Sequence, residues 1–148
     1  MEQGKILKPG INTHENVLFS CYGGFSNTGI TSALACLEVV KELGLKKVAI
    51  GCLGGLPIPI EGVISKTKAA KKVITVDGCP NACALKMAQK AGIALTKSII
   101  LSRDIGLIKK PLDEAVSSNS DMVMDYIEPG KIAEAKELII RSIEDDNP

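Results

Sequence analysis

Tryptophan is absent from this 148-residue chain, and tyrosine and phenylalanine occur only twice each. So few rings leave no set of stacking platforms for nucleobases. An excess of one charge is missing as well: 18 Lys and Arg stand against 17 Asp and Glu. That balance gives no electrostatic ground for binding nucleic acid or an anionic membrane. No apolar run reaches the roughly 18 residues of a membrane span, and no cationic-then-apolar leader opens the sequence. Neither membrane insertion nor secretion is therefore expected, and a cytoplasmic setting is. No Pro/Gly/Ser-rich linker interrupts a composition that is 45% hydrophobic, so one domain with a core of ordinary size is expected. The single histidine, His14, lies in a polar N-terminal stretch and reads as a solvated surface residue. Five cysteines without a leader point to thiols in a reducing compartment, serving metal or chemistry rather than disulfides.

The cysteines are placed with a rule. Val17-Leu-Phe-Ser-Cys21 is a short apolar run ending in a cysteine and followed by Gly23-Gly24. Lys47-Val-Ala-Ile-Gly-Cys52 repeats the pattern before Gly54-Gly55, and Val73-Ile-Thr-Val-Asp-Gly-Cys79 repeats it before Pro80. Each run reads as a buried strand that stops at a turn and leads into a helix. Alternating strands and helices predict an α/β domain, here a single Rossmann-like three-layer domain with a parallel sheet of four or more strands. In such a sheet the strand C-termini share one edge, with neighbours about 4.8 Å apart. Cys21, Cys52 and Cys79 then converge on that edge. Pro80 suits the first position of the next helix, and Cys83 in that helix leans back toward the strand tip. Four thiols on one edge suit a shared metal ion, and the expected ligands are Cys21, Cys52, Cys79 and Cys83. The expected strand orders are 3-2-1-4 or 2-1-3-4, both of which set the three cysteine-bearing tips side by side.

The glycine-rich loop after Cys21 leads into a helix and offers backbone N–H groups to a negatively charged site. Gly23, Gly24, Ser26 and Asn27 are its candidate cofactor-binding residues. The loop lacks the spacing of a P-loop or a dinucleotide fingerprint. The helix is expected to bury Ile30, Ala33, Leu37 and Val40 and to end at Gly44. Cys36 lies in it, about 12 Å along the axis from the strand tips, and reads as core. A short helix from about 60 to 70 buries Ile60, Val63, Ile64 and Thr67. A fourth strand and its turn cover 98–106, placing Ser102 and Asp104 on the cysteine edge. Asp77 and Asp104 are the candidates to support the ligands by hydrogen bonds. No sustained period marks 107–127, and a last helix buries Ile132, Ala135, Ile139 and Ile143. The organisation is thus an N-terminal extension over 1–16, a cysteine-bearing core over 17–110, and a C-terminal segment over 111–148 packed on the same domain.

These residues resemble the DGC-domain family, whose signature triplet is Asp77-Gly78-Cys79 within Val76-Asp-Gly-Cys-Pro-Asn-Ala-Cys83. Cys21 with Gly23-Gly24 and Ser26-Asn27 matches the family's first motif, and Cys52 its second cysteine. The resemblance spans roughly residues 17–110; Tyr22 departs from it, standing where the family carries a small residue. It implies zinc on the four cysteines and implies no reaction. Four thiolates favour tetrahedral zinc. An iron–sulfur cluster on three of them, with the fourth as a reactive thiol, is the alternative. It is supported by two thiols near a helix N-terminus, where sulfur-transfer or redox chemistry is favoured. A small-molecule or protein partner at the same edge, held by the Gly23-Gly24 and Gly54-Gly55 loops, is the third.

Overall fold

The computed structural model describes residues 14–111 and 125–146. Residues 1–13 of the N-terminal extension, and 112–124 of the segment without a clear period, lie outside the described residues. Four strands form the sheet: β1 (Asn16–Ser20), β2 (Val48–Ile50), β3 (Lys72–Asp77) and β4 (Lys97–Ile100). Their order is β2-β1-β3-β4, one of the two orders expected, and every pairing is parallel. Leu18 pairs with Ile50 on one side and with Ile74 on the other.

Both faces of the sheet are covered, so the inner strands bury nearly every residue instead of alternating. α1 (Asn27–Leu43) and α5 (Pro129–Glu144) cover one face, where Leu18, Val48, Ile74, Val76 and Ile99 meet Val39 and Ile139. α2 (Glu61–Ala69) and α3 (Cys83–Lys90) cover the other, where Phe19 and Val73 meet Leu56, Val63 and Ala88. The result is a three-layer, Rossmann-like α/β fold. The crossover from β2 to β3 includes a 3-10 turn at Leu53–Gly55, and a one-turn helix, α4 (Leu101–Asp104), follows β4. Among the described residues no helix is long and apolar enough to cross a membrane.

Three local expectations are corrected. α1 does not face the core with the full stripe Ile30, Ala33, Leu37 and Val40: Val40 packs against the core, but Leu37 is 55% exposed, and the buried stripe is Thr28, Thr31, Ser32, Ala35, Cys36 and Val39. Small and hydroxylated residues allow α1 to sit close to the sheet, because Thr31 and Ser32 satisfy their hydroxyls on the backbone oxygens of Asn27 and Gly29. Hydrophobicity alone therefore pointed to a neighbouring stripe. The fourth strand ends at Ile100, and the one-turn helix α4 occupies much of the stretch where the strand and its turn were expected to run to Gly106. The helix expected at Pro80 starts three residues later, at Cys83.

Cys36 is fully buried between Ala35 and Val39, and burial pushes its thiol up to about 12. Cys36→Ala is expected to cost about 1 kcal/mol in urea unfolding and to leave metal content unchanged. Metal lost from the purified variant would contradict a core role for this side chain.

Candidate metal centre

The site begins with β1 and β3. Their ladder runs one residue beyond Ser20, because Cys21 N–H donates to Val76 O at 3.0 Å. Cys21 thus stands beside Asp77, at the start of the loop between β1 and α1. That loop turns on Gly23 and Gly24, both with left-handed backbone (φ 69° and 58°). Ser32 reaches it from within α1: its hydroxyl lies 2.7 Å from both Cys21 O and Gly29 O and shares its one proton between them.

The second loop, between β3 and α3, is pressed against the first. A Cβ on Gly78 would lie 2.2 Å from Thr28 O, and one on Gly29 would lie 2.2 Å from Tyr22 O. The glycine of the Asp-Gly-Cys triplet is therefore required by the backbone of another element. Ala82 N–H donates to Cys79 O and closes a turn over 79–82, and Ala82 itself is left-handed (φ 50°). This turn occupies the residues that were expected to be the first of the helix. Cys83 becomes the opening residue of α3.

Asp77 is 1% exposed and caps α3 from seven residues upstream. Its carboxylate accepts Ala84 N–H at 2.7 Å and Leu85 N–H at 3.0 Å. Those are two of the orphan donors that every helix start carries. Burial raises the pKa of this carboxyl, against the lowering effect of the two amide donors. The acid expected to support the ligands thus supports the helix that carries one of them.

Cys21, Cys79 and Cys83 line one cavity of about 240 Å³, together with Gly23, Ser26, Asp77 and Lys109. Cys21 and Cys79 are half-buried and Cys83 is exposed. Burial, and then the negative charge of Cys83 and Asp77, push the Cys21 thiol up to about 11. A cation in the cavity would reverse that balance and favour the thiolate.

Cys52 is not on this wall. Leu18 pairs with Ile50, so with the register carried on Cys52 stands beside Ser20, one residue short of Cys21. β2 ends at Ile50, and Cys52 caps the 3-10 turn. It lines a separate cavity of about 260 Å³ with His14, Val63 and Lys66. There His14 Nδ1 donates to Leu45 O at 2.8 Å. Among the described residues, no group of three or more His, Cys, Asp or Glu side chains is placed to hold a metal ion. The donor chemistry of the first cavity, three soft thiols beside a buried acid, fits a soft cation; the fourth thiol lies outside it.

Of the loop residues expected to touch a cofactor, Gly23 and Ser26 line the cavity. Asn27 is buried and used elsewhere: its amide donates to Ile108 O and its oxygen accepts Lys110 N–H, both at 2.9 Å. This staple sets Lys109 on the cavity wall, a residue that no local signal marks. Asn27→Ala is expected to remove both bonds, at about 1–3 kcal/mol, and to speed amide hydrogen exchange at Lys110. Unchanged exchange there would show that the loop is held by other contacts. Asp104 is occupied away from the cavity, accepting Ile100 N–H and the Arg103 guanidinium, which holds it below the usual carboxylate range. Tyr22 is 61% exposed and does not line the cavity.

The DGC domain family model matches residues 17–127, further than the stretch over which the motifs are recognisable. No curated protein and no solved structure matches the chain.

Proposed function

This chain belongs to the DGC-domain family, and from that premise we propose that it is a zinc-binding protein. Membership supports a metal-binding role for a cysteine-rich site. The observation that carries the proposal is the convergence of Cys21, Cys79 and Cys83 on one cavity from two adjacent strand ends and a helix start. In this reading those three thiolates hold the ion, and Cys52, in the turn that follows the neighbouring strand, is the fourth ligand. Four thiolates with zinc carry a net charge of −2, offset by the helix dipoles of α1 and α3. Zinc there would offset half of the thiolates' charge and hold the two loops together.

A second reading rests on the separate position of Cys52. Three cysteines around one cavity also suit an iron–sulfur cluster, with Cys52 as an exchangeable ligand or a reactive thiol. Anaerobic purification followed by metal analysis and a visible spectrum separates the two. One zinc per chain and no colour is the expected result. A brown protein with broad visible absorption and bound iron would transfer the site to the cluster. Neither metal after anaerobic purification and reconstitution would reject both.

A further inference from the structure

The cavity of about 260 Å³ lies at the sheet edge, where β2 is the outermost strand. Val17 and Ala49, partners in register, line it from the sheet, and Ile60, Gly62 and Val63 line it from the start of α2. Small residues keep it open. Ala49 fills little of the space, and a Cβ on Gly62 would meet nothing within 4 Å. Two of its apolar residues, Ile50 and Ile60, are left 38% and 49% exposed, surface that an apolar ligand would cover. The wall carries one full charge, the ammonium of half-buried Lys66. Among the described residues no acid lines the cavity, and no carboxylate lies in ion-pair range of Lys66. Glu15, next to His14 in sequence, is held by Lys47 and Lys71. The Thr67 hydroxyl is spent on Val63 O.

We propose that this cavity binds a small monocarboxylate, its apolar chain against Val17, Ala49 and Val63 and its carboxylate on the Lys66 ammonium. An apolar pocket with one polar group that fixes orientation is the usual form of a small-molecule site, and a charge-assisted hydrogen bond to the ammonium supplies the selectivity. The single cation decides for a carboxylate. A phosphate ester carries up to two charges and more acceptor oxygens, which one ammonium does not match. The volume sets the size. Liquid water takes about 30 Å³ per molecule, so the cavity holds roughly eight or nine non-hydrogen atoms, the size of hexanoate. The site is separate from the cavity of Cys21, Cys79 and Cys83 and does not depend on which metal that cavity holds.

The test titrates the full-length, ¹⁵N-labelled protein with hexanoate, after a chelator has removed metal so that no carboxylate–metal contact contributes. Saturable shifts are expected in the amides of 49–52 and 60–67, with little change at 79–85. Hexanamide and hexyl phosphate are expected to bind about tenfold more weakly. Lys66→Met keeps the apolar stem and is expected to lose about tenfold for hexanoate and nothing for hexanamide, the worth of one hydrogen bond to a charged group. Gly62→Leu fills open space in a helix and is expected to abolish binding of both, with folding checked by circular dichroism. The wild type gives a readout that needs no variant. Cys52 is exposed on the cavity wall, and its tryptic peptide, 48–66, holds no other cysteine. Saturating hexanoate is expected to slow its alkylation by iodoacetamide. Hexanamide or hexyl phosphate bound as tightly as hexanoate, shifts centred on 79–85, or no saturable binding would each overturn the proposal. A protein that binds hexanoate at 49–52 and 60–67 but takes up no metal would reject the metal reading and support this one.

Discussion

Serine in place of Cys79 or Cys83 is expected to weaken zinc binding by about a hundredfold. A thiolate zinc site binds with an apparent ~10–16 kcal/mol; one ligand of four then corresponds to about 3 kcal/mol, or two powers of ten. Competition against a chromophoric chelator reads this directly. Cys21→Ser should lose as much, since all three sulfurs line the same cavity. Cys52→Ser is the informative variant. An equal loss there would show that the 3-10 turn at Leu53–Gly55 brings its capping cysteine to the ion. A loss well under tenfold would show a three-cysteine centre and move the cluster reading ahead. Undiminished affinity in the Cys21, Cys79 and Cys83 variants would place the metal elsewhere.

Gly78→Ala is expected to cost about 3 kcal/mol or more, the upper end for forcing atoms into a packed site. The added methyl would meet Thr28 O at 2.2 Å and Thr28 C at 2.3 Å. These are backbone atoms in the first turn of α1, so no side-chain rotation relieves the clash. Against a total stability of about 5–15 kcal/mol, the change removes a large share, and it should also separate the two loops that form the thiol cavity. Gly130→Ala is the control of opposite sign. It lies in α5, and nothing stands within 4 Å of its added methyl, so a gain of up to about 1 kcal/mol is expected from helix propensity. Urea midpoints of the two variants decide the matter: a Gly78→Ala protein as stable as the wild type would show that the loops are not in close contact.

Much of the architecture was legible because it rests on local signals. Val17 to Phe19 and Val73 to Val76 are apolar runs of strand length, and both are buried on either face. Gly44 and Gly92 mark helix ends, each with a positive φ that glycine adopts freely. The final helix opens at Pro129 and buries Ala135, Ile139 and Ile143, as its spacing indicates. The candidate site was legible only in part. The shared edge of parallel strands correctly brings Cys21 and Cys79 together, and Cys83 with them. A common edge does not specify the height of each residue on it, however, and a strand that breaks early leaves its cysteine in a different loop.

The amino-acid order by itself determined the alternation of strands and helices, the parallel sheet that follows from it, and the burial of Cys36. Each depends on periodicity and punctuation within a few residues. The tertiary structure alone decided the rest. It set Cys52 one register step from Cys21, through the pairing of Leu18 with Ile50. It turned Asp77 into the cap of α3 and delayed that helix to Cys83, because the intervening turn closes on Cys79 O. It brought Lys109 to the cavity through Asn27, 82 positions earlier in the chain. It made Gly78 necessary by packing the Thr28 carbonyl where a side chain would stand. Three of these contacts join groups distant in sequence, and only cross-strand register and loop packing set the distance between them; the fourth, the turn and cap at the start of α3, is short in sequence but takes its shape where the Asp-Gly-Cys loop is pressed against α1.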